Sequence, residues 1–125
     1  MTRSRSSRSG ADHALIQDLL AEAPIPARGI LSRTLSDEDD VRLVLFAFAA
    51  GEELSEHTAA RPAIVHILHG EATLSVGGER YEAGPGSWLR MAAGTVHAVR
   101  ARTPLVLALY LLPGTAASRP GSTGT

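Results

Sequence analysis

Any chemistry in this chain has to be built on a short list of side chains, and histidine heads it. There are five, His13, His57, His66, His69 and His97, with no cysteine and with arginine supplying all twelve basic residues. The absence of cysteine excludes disulfides, thiolate metal sites and thiol nucleophiles, and the absence of lysine excludes a lysine Schiff base. Imidazole titrates near neutral pH and binds divalent metals through a ring nitrogen, so proton transfer and metal ligation are both open to it. Arg90, Arg100 and Arg102 lie close together in sequence and could grip a carboxylate, although solvated strand-edge arginines are the commoner arrangement.

The elements that must position these residues belong to one small domain. A chain of 125 residues, 44% hydrophobic and 20% charged, has the size and composition of a single globular unit with one core. Its formal net charge of -1 gives no concentrated basic surface for nucleic acid or an anionic membrane. The expected partner is therefore a small molecule. No run reaches the ~20 apolar residues of a membrane helix, the most apolar stretch being 104–112, and the arginines of 1–10 are not followed by the apolar region of a secretory signal. The expected location is the cytoplasm. Residues 1–10, rich in Ser and Arg, and 113–125, rich in Gly, Ser, Thr and Pro, lack the apolar surface that offsets ordering entropy and are expected to be disordered tails.

Residues 11–29 read as a helix and a linker. Asp12 is placed to cap the helix, Leu15, Ile16, Leu19 and Leu20 recur at helical spacing up to Ala23, and Pro24 and Pro26 end it. Such a helix would lay its apolar stripe on the outside of the main body, with His13 inert at its exposed start. From residue 30 to 112 the chain reads as β, with strands expected at 30–35, 41–49, 63–68, 72–76, 79–82, 87–91, 98–102 and 105–112. Gly77-Gly78 marks a two-residue hairpin, because both positions can take positive φ. Many short strands without intervening helices predict an all-β sandwich or barrel. Strand 41–49 is apolar on both parities, with Leu43, Leu45 and Ala47 on one face and Val44, Phe46 and Phe48 on the other. The outer face must then be covered, and a homodimer through the outer sheet is the expected cover beyond the reach of the helix.

Two segments carry spaced patterns. The first runs Gly51-Glu-Glu-Leu-Ser-Glu-His57-Thr-Ala59-Ala-Arg-Pro-Ala63 and on to Gly70. The second runs Gly86-Ser-Trp-Leu-Arg-Met-Ala92-Ala-Gly94-Thr-Val-His97 and on to Ala101. Together they resemble the two motifs of the cupin family, with Gly51, His57 and Gly70 in register with the first and Gly86, Gly94 and His97 with the second. The resemblance covers roughly 30–112 and implies a jelly-roll-like cupin β-barrel, here with one short N-terminal helix. A fully equipped cupin sets three histidines and a glutamate on one metal. In this chain Ala59 stands at the second histidine position and Ala63 at the glutamate, while Ala92 replaces the turn proline and Ala101 the asparagine of the second motif.

The resemblance makes His57 and His97 the expected site, as catalytic residues and as the ligands of one divalent metal ion if one is bound. His69 lies ~20 Å along an extended strand from position 63, and His66 has the opposite parity, so neither restores the set. The pocket is expected to be apolar, drawn from Phe46, Phe48, Met91 and Tyr110, with Val65, Ile67, Leu89 and Val99 as further candidates, and suited to a small apolar or aromatic molecule. The expected function is small-molecule processing by His57 and His97, of lyase, isomerase, decarboxylase or oxygenase type, through a weak divalent metal or by metal-free acid/base chemistry. The alternative is a non-catalytic binding or sensing cupin, and the fold does not choose between them.

Overall fold

The computed structural model describes residues 12–114. The expected tails lie outside them, apart from residues 113 and 114. The described residues form nine strands: β1 (Ile30–Glu38), β2 (Val41–Phe48), β3 (Glu53–His57), β4 (Ala63–His69), β5 (Ala72–Val76), β6 (Glu79–Ala83), β7 (Trp88–Met91), β8 (His97–Ala101) and β9 (Leu105–Leu111). They pair into a five-stranded sheet of order β1-β2-β9-β4-β7 and a four-stranded sheet of order β3-β8-β5-β6, with every pairing antiparallel. This is the all-β, two-sheet architecture that the short strands predict.

Eight strands fall where the apolar runs place them. The ninth, β3, has no such run: its sequence is Glu-Leu-Ser-Glu-His, and only Leu54 is partly buried while the other four residues are exposed. A strand that lies at a sheet edge needs little burial of its own, since pairing with β8 satisfies its backbone. The Gly77-Gly78 hairpin forms as expected, with both residues at positive φ, between β5 and β6.

The N-terminal helix does not form. Of the span 12–23, only Leu20–Glu22 is helical, as a single 3-10 turn. The Asp12 carboxylate meets the His13 ring instead of capping a helix, and both are exposed. A lone helix of about twelve residues is marginal in water, so tertiary burial decides the conformation. Burial here selects Ile16, Leu19 and Ala23, which pack on the outer face of the five-stranded sheet, and leaves Leu15 and Leu20 exposed. Arg33 on β1 anchors the turn by donating to the Glu22 carbonyl and pairing with its carboxylate.

The two parities of β2 serve two cores. Leu43, Leu45 and Ala47 join Leu35, Val106, Ala108 and the N-terminal segment on the outer face. Phe48 joins Val65, Ile67, Leu74, Met91, Val99, Leu105 and Leu107 between the sheets, with Phe46 packed against them. The interior is graded along its length. At the end where β9 begins, Phe48, Ile67, Ala72, Ala101 and Leu105 are all essentially inaccessible. At the end where β9 finishes, Leu109 and Leu111 are only half-buried. The barrel is thus closed at one end and looser at the other.

Candidate functional site

His57 and His97 meet at the looser end. They are direct partners in the β3–β8 ladder, and their rings lie 4.2 Å apart between centroids at an interplanar angle of 56°. His97 shares a face of β8 with Val99 and Ala101, both in the inner core, and is itself buried to 8% exposure. His57 reaches the same face through a local irregularity. Leu54 pairs with Val99 and His57 with His97, so β3 spends one residue more than β8 over that interval. Regular alternation would put His57 on the face opposite Leu54; the bulge turns it in beside His97.

The backbone also fixes the ring tautomers. His57 Nδ1 lies 2.7 Å from the Ser55 carbonyl, and His97 Nδ1 lies 2.9 Å from the Thr95 carbonyl. A carbonyl oxygen only accepts, so each Nδ1 carries the hydrogen. In the neutral rings, each Nε2 is then left with its lone pair. Burial pushes the His97 pKa below its ordinary value; the hydrogen bond to Thr95 works against that shift, and the neighbouring His57 adds to it. His97 is therefore held in the neutral form, with Nε2 ready to accept a hydrogen or bind a metal.

Two loops bring the other walls to this pair. Residues 58–62 lead from His57 to Ala63, and 92–96 lead from Met91 to His97, so Ala63 and Met91, paired with each other across β4 and β7, stand at the histidine end of the opposite sheet. The loops are tied together by Gly94 N–H donating to the Ala59 carbonyl at 2.9 Å. Arg61 fastens the first loop to the barrel: its Nε donates to the Leu112 carbonyl at 2.9 Å, and its terminal nitrogen reaches the carbonyls of Leu111 and Asp40. Nothing in the sequence pattern marks Arg61 for this role, because its partners are all backbone carbonyls distant in sequence.

The expected pocket residues separate. Phe46 and Met91 face the interior, while Phe48 is sealed into the closed end. Tyr110 faces the other way, packing on the outer core beside its ladder partner Leu43. It occupies the parity opposite Leu109 and Leu111, the β9 side chains that point between the sheets, and so does not line the interior. The arginine trio is not assembled into a carboxylate grip: Arg100 pairs with Glu53, and Arg102 with Glu71 and Glu82. His66 pairs with Trp88 in the ladder and His69 is exposed, so neither joins the histidine pair.

As a metal site, the pair fits two positions only. Nδ1–H held by a carbonyl with Nε2 free is the arrangement in which histidine ligates metals. Yet the described residues contain no group of three or more His, Cys, Asp or Glu placed around a common ion. Ala63, at the position of the cupin glutamate, is buried against Met91 and Leu111 with no donor to offer. A four-ligand cupin centre does not fit this chain.

An antiparallel two-sheet barrel with paired histidines at one end defines a cupin-type domain. The cupin domain family model matches residues 44–112, more than half of the chain, and the protein belongs to that family. Among solved structures it is similar to the conserved protein SPY1581 of unknown function from Streptococcus pyogenes, at 30% identity and a TM-score of 0.74 over 91% of this chain and 100% of that one. It is also similar to a cupin superfamily protein from Desulfitobacterium hafniense, at 27% identity and a TM-score of 0.69 over 88% and 99% of the two chains. KdgF from Halomonas sp., at 24% identity and a TM-score of 0.63 over 69% of this chain and 81% of its own, shares the fold. No curated protein gives a significant match. No helix among the described residues is long and apolar enough to cross a membrane.

Proposed function

We infer that this cupin binds a small apolar or aromatic molecule between its sheets and that His57 and His97 act on it by proton transfer. The carrying observation is the locked tautomer pair: each Nδ1 is committed to a carbonyl two residues earlier, which leaves two bare Nε2 atoms on neighbouring rings. Such a pair lacks a hydrogen donor and is satisfied by a ligand O–H, N–H or acidified C–H. Burial, with the neighbouring His57 acting in the same direction, keeps the His97 ring a neutral acceptor. One ring can remove a proton from a carbon acid, as an isomerase or lyase requires, and a ring so protonated can deliver it to the carbanion left when CO2 departs, as a decarboxylase requires.

The same carbonyl anchoring favours a second reading, in which the two Nε2 atoms hold a weakly bound divalent ion whose remaining positions belong to water or ligand. Bound there, the ion would supply Lewis acidity. A binding or sensing role without turnover is the third outcome. Metal analysis of untagged protein, with His57→Ala and His97→Ala beside it, separates them. Near one equivalent of metal, lost in both variants, supports the ion and overturns the metal-free reading. No metal after supplementation, with turnover of a carbon acid lost in His97→Ala, supports acid/base catalysis. Ligand binding lost in both variants, with no product from the unaltered protein, supports sensing.

Two further expectations stand as proposals beside this one. The outer face of the five-stranded sheet is covered by the N-terminal segment over β1, β2 and β9, with Leu68 of β4 packed at its margin, while Ile64 and His66 on β4 stay half-buried and Trp88 on β7 exposed. This uncovered half is the surface for a homodimer, to be checked by the mass of the protein in solution. The proposed location is cytoplasmic.

A further inference from the structure

The edge strands show where the interior is accessible. Tyr81 on β6 is the ladder partner of Leu74, and Leu89 on β7 is the partner of Val65. Leu74 and Val65 belong to the inner core, so Tyr81 and Leu89 also face between the sheets. Their exposures differ sharply: Leu74 is 5% and Val65 4% exposed, whereas Tyr81 is 51% exposed and Leu89 half-buried. β6 and β7 are the last strands of their sheets, and among the described residues no ladder joins them. The inner faces are therefore open along this flank, and a cavity of about 250 Å³ lies there, with Val65, Leu74, Tyr81, Ala83 and Leu89 among its walls.

The ladder registers place this cavity beside the histidine pair. Two residues beyond Leu74 on the same face is Val76, the partner of His97. Across the interior, two residues beyond Leu89 and two short of Val65 are Met91 and Ala63, at the histidine end of the other sheet. Each step is ~7 Å along a strand, a distance that one substituted benzene ring spans. Met91 stands at that step on β7, and its unbranched side chain can repack around a ligand. The lining also fixes the chemical class. Glu82 lies on the outer parity with its partner Thr73, its carboxylate is occupied by Arg102 at 3.0 Å and by the Thr73 hydroxyl at 3.1 Å, and no cationic side chain lines the cavity. A charged group would lose its water there without gaining a counter-ion. A ring fits, since a cavity of about 150 Å³ already accommodates benzene.

We propose that this cavity is the apolar arm of the histidine site. An uncharged, ring-sized body lies between β6 and β7 against Tyr81 and Leu89, and the acidic C–H attached to it extends past Met91 to His97. The proposal rests on the proton-transfer reading for the reacting end of the molecule and assigns the place and the charge of the rest. An uncharged aryl ketone is the simplest compound of this class. His97 Nε2 takes its C–H proton, the electron pair of that bond passes to the carbonyl oxygen as an enolate, and return of a proton to carbon restores the ketone.

The probe is para-methylacetophenone, titrated into the isotope-labelled full chain and followed by NMR. It should shift the amides of Leu74, Ala83 and Leu89 and the ring signals of His97 saturably, with one shared dissociation constant. The isosteric para-acetylbenzoate, which puts a charge at the cavity end, should bind at least about tenfold more weakly. Leu89→Phe fills the cavity from a half-buried edge position and should weaken the ketone about tenfold, and Tyr81→Ala about fivefold. Tyr81 is exposed, so its variant keeps the fold and carries the test even where Leu89→Phe does not. Cavity shifts without a response at His97, a His97 response without cavity shifts, equal binding of ketone and carboxylate, or no saturable shift at all would each overturn the proposal. Deuterium uptake by the acetyl methyl in heavy water reads the chemistry separately. Uptake lost in His97→Ala but unaltered in both cavity variants would keep proton transfer and overturn the arm. Joint shifts without uptake would keep the shared site and overturn proton transfer.

Discussion

The two ends of the barrel are built from the same strands and differ in what those strands enclose. At the closed end, Phe48 pairs with Leu105 across β2 and β9, and Gly70 lets the β4–β5 turn press against Pro104 and Leu105. At the histidine end, the ladders finish in Leu111, Ala63 and Met91 on one sheet and in His57 and His97 on the other. One end is filled with side chains that have no polar group to satisfy. The other ends in two imidazoles whose Nε2 atoms have no protein partner among the described residues. Stability belongs to the first and chemistry to the second, and substitutions at each should separate the two properties.

The largest expected effect is at Phe48, the most voluminous of the wholly buried side chains. Phe48→Ala should cost about 3–5 kcal/mol, lowering the denaturation midpoint in urea, because a rigid, close-packed end refills poorly. Its counterpart at the other end, Met91→Leu, keeps volume and polarity and should cost under about 1.5 kcal/mol. Equal losses would mean that the barrel has no closed end in the energetic sense.

Gly70→Ala follows. The residue has φ +89°, and a Cβ there would lie 2.0 Å from the Pro104 carbonyl oxygen and 3.0 Å from Leu105 Cα. Both obstacles are backbone, so the turn or the start of β9 must move. The expected loss is about 2–4 kcal/mol from strain and overpacking together, again measured by urea unfolding. Replacing His57, which is exposed, should change stability by under about 0.5 kcal/mol. The role of Gly70 explains why a glycine closes the first of the two motifs: the motif records a backbone contact as well as a ligand set.

That distinction shows how much the sequence disclosed. Alternation and turn residues located eight strands, because apolar runs and paired glycines act locally. β3 stayed hidden because its stability comes from β8, some forty residues on. The orientation of His57 depends on a bulge, which shifts parity by one and leaves no mark in hydrophobic spacing. The face of Tyr110 is not legible from alternation: β9 is apolar on both parities, and only the packed structure shows that one of them, the parity of Tyr110, meets the N-terminal segment. The helix failed for the complementary reason, since Ile16, Leu19 and Ala23 gain more from lying on the sheet than the segment gains from local hydrogen bonds.

The smallest effect sharpens the comparison most, because it belongs to one group at the histidine end. Burial holds His97 below its ordinary value of 6.5, and His57 beside it pushes in the same direction. Between that lowered value and 6.5 the unfolded chain binds a proton that the folded chain refuses. Falling pH therefore favours unfolding within this window and stops doing so once the folded residue is also protonated. The contribution of His97 is complete above the unfolded value and declines below it. Replacing His97 by Gln removes the titration while retaining a polar group, so the difference in melting temperature between the two proteins should vary with pH below 6.5 and be constant above it. A difference that stayed flat across this range would mean that His97 is as well solvated as in the unfolded chain. Water would then reach His97 from the histidine end, and the neutral Nε2 on which the proton-transfer reading rests would have lost its cause.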